Sequence, residues 1–222
     1  MNWQIDLQTA QAAAAHPIPI HGVAPAAQFA GRNFDPQNWN HRIIPPANWP
    51  PGPITSSPQA IIQEFQNGQY LQGLALVVSW GKMWRVPDAI WGNRPLPAIN
   101  GVLDNSAVNI QNTHSINGAW AMLTGNQNGQ LGWSAVLTSK TLHFLCRALG
   151  FQQDPPVALD NAVIREKVWP VFEQAIQPGP CPMDWKGNTL NAYLRYMTAI
   201  LTWAGQRYWS TTDMEATIFD QY

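Results

Sequence analysis

The chain has 222 residues, enough for one domain with a substantial core and tight for two. Only 11% of the residues are charged, at a formal net charge of −1, while 45% hydrophobic residues with 12 Trp exclude a disordered acidic or basic chain. A pI near 6.5 carries no global signature of nucleic-acid binding, so any such role must rest on a local patch.

In chain order, the first 57 residues read as an extended arm. Proline recurs in "HPIPIHGVAPAAQ" and "RIIPPANWPPGPITSSP" and favours polyproline or irregular backbone. Phe34, Trp39, Ile43, Ile44 and Trp49 need a surface to lie against, so the arm is expected to wrap over a helical body, with Gln8 to Ala15 as a short helix. From Ser57 the pattern turns helical. Ser57-Pro58 is a cap followed by proline at the first turn, and Ile61, Ile62 and Phe65 supply apolar spacing. Leu71 to Trp84 reads as a buried central helix. Ala98 to Thr124 holds one or two helices, ending in the turn "TGNQNGQLG". Helices follow over Leu131 to Leu149, Asn161 to Ile176 and Thr189 to Tyr208, with a short closing segment from Thr212 to Asp220. Strand signals are scarce. The expectation is a mainly α fold, a helical domain over 58–222 preceded by an irregular arm over 1–57.

Cys146 and Cys181 are too few for a disulfide scaffold or a zinc cage, and five scattered His give no metal spacing. No run of 18 uncharged apolar residues is present and the N-terminus lacks a basic region. The expected setting is cytoplasmic, nucleoid-associated and prokaryotic, with no metal, no cofactor and no membrane.

The informative stretch is "LGWSAVLTSKTLHFLCRALGFQQDPPVALDNAVIREKVWP". Thr138 or Ser139 can cap a helix that Gly150 stops. Leu142, Leu145, Cys146 and Leu149 fall at i, i+3, i+4 and i+7 and form its core stripe. Lys140 lies about 160° from Leu142 and shares a face with Phe144 and Arg147. It is therefore expected in the first turn, pointing away from the core, where the helix dipole favours the neutral, nucleophilic amine. The helix rises about 16 Å. The loop after it spans up to about 30 Å, enough to bring Asp160, a candidate N-cap of the next helix, back beside Lys140. A neutral-prone amine beside a carboxylate suits attack on a sugar C1′.

The run "SKTLHFL", followed about twenty residues later by "ALDNAV", resembles the helix-hairpin-helix DNA glycosylase superfamily in its 8-oxoguanine glycosylase branch. The resemblance implies Lys140 as Schiff-base nucleophile and Asp160 as the assisting aspartate. The C-terminal "DMEATIF" is similar to that branch's final helix, which implies Glu215 at the base edge and Phe219 stacked on the base. Phe144 and Trp133 are further pocket candidates. The family's hairpin Gly-x-Gly is missing from "AVLTSK". Phosphate contacts are therefore expected from backbone amides at the helix start, across Thr138, Ser139 and Thr141, and from Arg147. Arg85, Arg94 and Arg165 would extend a positive strip. The implied partner is double-stranded DNA containing a modified base, oxidised or bulkier, such as one marking phage DNA.

Blander readings stand beside these. Lys140 and Asp160 suit a structural ion pair, His143 a packed histidine, and Trp80, Trp84, Trp120 and Trp203 the core. Two rival functions are a non-catalytic helical DNA- or protein-binding module and a carbohydrate-active protein. The second finds no convincing pair of catalytic acids beyond Asp160 and Glu215.

Overall fold

The computed structural model describes residues 1–18, 32–34, 54–81, 94–125, 127, 129–159 and 189–221. Over these residues the protein is mainly helical. The elements are α1 (Leu7–Ala15), β1 (Arg32–Phe34), β2 (Ile54–Ser56), α2 (Pro58–Gln66), α3 (Tyr70–Trp80), α4 (Leu96–Thr113), α5 (Asn117–Thr124), α6 (Ala135–Ala148), α7 (Thr189–Arg207) and α8 (Thr211–Gln221). They fall into two compact units, one made of 29–150 and the other of 1–28 and 151–222. Among the described residues, no helix is long and apolar enough to cross a membrane.

The unit over 29–150 holds α2 to α6. Ser57 accepts a hydrogen bond from the Ala60 amide at 3.1 Å and Pro58 occupies the first turn, so α2 starts where the sequence places it. It stops in a left-handed turn. Gly68, at φ +71°, lets its own amide reach the Phe65 carbonyl and the Gln69 amide reach that of Glu64. The short turn lays α3 back on α2, and Gly73 allows the close approach, since a Cβ there would meet the Phe65 ring at 2.5 Å. From Gln72 to Ser79, α3 is buried on every side, as a central helix should be. Along α4, Ile99, Val102, Leu103, Ser106, Ala107 and Ile110 form one buried stripe at helical spacing, and α5 packs against this helix.

Among the described residues of the arm, one strand pair departs from the expectation. Residues 32–34 pair antiparallel with 54–56, Arg32 opposite Ser56 and Phe34 opposite Ile54. Two three-residue segments escape a proline-rich background because neither contains proline and each satisfies the other's backbone.

The other unit is built on α7, with α1 and α8 packed against it. Asp6 caps α1 by accepting from the Thr9 amide at 2.7 Å. The last carbonyls of α1 have no partners within the helix, and α7 supplies them. Trp203 Nε1 donates to the Ala13 and His16 carbonyls at 2.9 and 3.3 Å, and Gln206 Nε2 donates to Ala14 at 3.2 Å. Arg207 donates to the Ile18 carbonyl at 2.9 Å. The helix expected over Gln8 to Ala15 is thus present and docked. Residues 154–159 are strapped to the same unit: Tyr193 Oη donates to the Val157 carbonyl at 2.8 Å, Thr211 Oγ1 to Pro155 at 3.2 Å and Trp3 Nε1 to Asp154 at 3.1 Å. The helix expected over Asn161 to Ile176 and the side chains of Trp39, Ile43, Ile44, Trp49 and Trp84 lie outside the described residues.

Candidate functional site

The site candidate is α6, and its start corrects the sequence reading. Leaving α5, the chain bonds back onto it: the Leu131 amide donates to Met122 at 3.0 Å and the Trp133 amide to Leu123 at 2.8 Å. These bonds, with Gly132 at φ +65° between them, tie the chain to α5 as far as Ser134, whose hydroxyl then accepts from the Leu137 amide at 3.4 Å as the true N-cap. The helix begins a turn before Thr138 and Ser139. Lys140 is therefore its sixth residue, past the reach of the N-terminal dipole.

Two consequences follow for the expected phosphate contacts. Thr138 donates its amide to the Ser134 carbonyl at 2.9 Å, and the amides of Ser139 to Thr141 lie inside the helix, bonded to the preceding turn. They are not available to an anion. The Thr138, Ser139 and Thr141 side chains are also wholly buried, with Ser139 Oγ donating to the Val136 carbonyl at 3.1 Å.

Packed by α2, α3, α4 and α5, the helix is enclosed on all sides from Leu137 to Cys146. Lys140 does not point to solvent: it is 5% exposed. A lysine is rarely so enclosed without a favourable environment for its charge. Here Nζ stands over the Trp80 ring, 5.7 Å from its centroid. One turn on, Phe144 is fully buried and meets the same indole in an edge-to-face contact, with centroids 5.0 Å apart and an 89° interplanar angle. His143 packs edge-to-face on Phe144 at 4.8 Å, and its Nε2 lies 3.4 Å from an Arg147 terminal nitrogen. A guanidinium only donates, so Nε2 is the acceptor in this contact. His143 is the packed, hydrogen-bonded residue the sequence suggests. Burial lowers the Arg147 guanidinium below its ordinary range. On the opposite, apolar side, burial pushes the Cys146 thiol up, which leaves it no nucleophile.

The structure thus joins Lys140 to Phe144, His143 and Arg147 on one face of α6 and adds Trp80 at the end of α3. The sequence places Trp80 in the core, because nothing in its local pattern says that it ends a helix facing Lys140. Trp133 is 3% exposed, fixed by the return of the chain onto α5, so it presents no free ring face. Arg94 is exposed ahead of α4. Glu215, on α8 in the other unit, is 5% exposed. Asp160, Arg85, Arg165 and the Phe219 side chain lie outside the described residues. Among the described residues, no three His, Cys, Asp or Glu side chains gather as metal ligands would. Compared with family models, with curated proteins and with solved structures, the chain finds no match in any of the three.

Proposed function

We propose that the protein is a DNA glycosylase with associated lyase activity, and that it acts on a modified base, of which 8-oxoguanine is the type. The observation that supports this reading most is the enclosure of Lys140 in the middle of α6, with its amine over an indole and an aromatic residue one turn away. An enclosed amine against an aromatic ring suits a nucleophile that must meet a flat, flipped-out base and its sugar together. The resemblance of "SKTLHFL" and "ALDNAV" to the helix-hairpin-helix glycosylases supplies the substrate class.

In this mechanism the deprotonated Lys140 amine attacks C1′ of the flipped nucleotide. The new C1′–N bond forms as the glycosidic bond breaks, and the base leaves with the bonding pair and takes up a proton. Asp160, by the same resemblance, accepts the proton that the amine gives up. Ring opening yields an iminium, loss of a C2′ proton expels the 3′ phosphate, and hydrolysis frees the lysine.

The experiment is reductive trapping. Borohydride added to the protein and an 8-oxoguanine duplex reduces the iminium to a stable protein–DNA adduct. Lys140→Gln abolishes the adduct. A protein that binds the duplex tightly yet traps nothing on it is the non-catalytic helical module instead.

A further inference from the structure

We infer that the turn at Asn67–Gly68 is a modification site, where the asparagine side chain deamidates without an enzyme; this is independent of the glycosylase reading. The reaction has two steps. The Gly68 amide nitrogen attacks Cγ of Asn67, a new C–N bond forms, and the side-chain nitrogen leaves as ammonia with the proton that the amide gave up. Water then opens the cyclic imide at either carbonyl and leaves aspartate or isoaspartate.

Asn-Gly pairs begin at positions 67, 100, 117 and 128, and the first three lie among the described residues. The structure separates these three. Asn100 and Gly101 lie inside α4, where helical hydrogen bonds on both sides fix the backbone and keep the amide from the carboxamide. Asn117 opens α5, with its amide donating to Ser115 Oγ at 3.3 Å. Its neighbour Gly118 is pressed against Asn109, so that a Cβ there would meet Oδ1 at 2.5 Å. Asn67, by contrast, follows the last residue of α2, and both it and Gly68 are exposed. A Cβ on Gly68 would meet nothing within 4 Å, so the backbone has room to rotate once the Gly68 amide gives up the Phe65 carbonyl. Gln63 Nε2 also donates to Asn67 Oδ1 at 3.1 Å, on the oxygen where negative charge builds during the attack.

The products act on the turn that lays α3 on α2. Isoaspartate lengthens the main chain, so the bonds from Gly68 to Phe65 and from Gln69 to Glu64 lose their register. Aspartate places a negative charge at the C-terminal end of α2, against the helix dipole.

The test ages the native protein at mildly alkaline pH and follows each asparagine by peptide mapping, with enzymatic methylation of isoaspartate as a second readout. Asn67 is expected to convert about tenfold or more faster than Asn100 and Asn117, since those sites react only after local opening. Gln63→Leu, a change at an exposed position, is expected to slow Asn67 by about two- to threefold, the weight of one exposed hydrogen bond. Ageing should lower the urea midpoint of the native protein and leave that of Asn67→Ser unchanged. Conversion at Asn67 no faster than at the other two, or no slower in Gln63→Leu, overturns the inference. An equal loss of midpoint in aged Asn67→Ser does so for the effect on the turn.

Discussion

Lys140 and Trp80 stand sixty positions apart in the chain, and the packing of α6 on α3 sets the amine of the first 5.7 Å from the ring centroid of the second. An enclosed ammonium carries a desolvation cost, and a cation–π contact of about 0.5–2 kcal/mol is one contribution against it. If the lysine is kept for chemistry, removing its charge should not weaken the fold. Lys140→Met, similar in length and apolar, is expected to unfold within about 1 kcal/mol of the native protein, or later, while forming no adduct with DNA. Urea denaturation checks this, and a loss well beyond that range identifies the lysine as structural.

Two hydroxyls of the same helix lack hydrogen-bond partners among the described residues. Thr138 Oγ1 and Thr141 Oγ1 are buried without a hydrogen bond. An unsatisfied buried hydroxyl costs about 1–3 kcal/mol, and valine has nearly the same shape and helix propensity. Thr138→Val and Thr141→Val should each raise the urea midpoint at unchanged slope. A lower midpoint in both would show that those hydroxyls have partners in solution.

At Gly73 the close approach of α2 and α3 outweighs helix propensity. Alanine gains about 1 kcal/mol in a helix interior. The added Cβ, however, collides with the Phe65 ring, which is itself buried. Overpacking costs about 1–3 kcal/mol, so Gly73→Ala should lower stability. In a Phe65→Leu background the same substitution should raise it, and equal effects in both backgrounds would rule out the steric cause.

The cap of α1 predicts an acid-sensitive contribution. The Thr9 side-chain hydrogen bond, then its amide and the Arg195 charge, hold the Asp6 carboxyl below its ordinary value of 3.8, against a smaller opposing effect of burial. A group whose folded value is depressed stabilises fully above its unfolded value and loses that contribution as pH falls through the folded one. The stability advantage of the native protein over Asp6→Asn should therefore shrink as pH drops from about 5 towards 2. A difference that stays constant over that window would contradict the assignment.

The helices were legible in the sequence wherever a local signal was decisive. Ser57-Pro58 marked the start of α2, the apolar run from Leu71 marked α3, and Gly150, at φ +92°, follows the last turn of α6. The start of α6 was not legible. Ser134, Thr138 and Ser139 are equally good caps in isolation, and hydrogen bonds from Leu131 and Trp133 to α5 decide among them. The strand pair was hidden for a similar reason, since each three-residue segment exists only through its partner. At the candidate site, the helical period put Lys140 and Phe144 on one face. That this face is enclosed, and that Trp80 lies against it, depends on contacts between distant segments.

The most direct measurement is the identity of the residue that carries the trapped DNA. The chain has four lysines, at 82, 140, 167 and 186. After borohydride reduction, nuclease digestion and proteolysis, mass spectrometry should find the sugar remnant on the peptide containing Lys140 and on no other. A remnant on a different lysine, spread over several, or found on none would contradict the account.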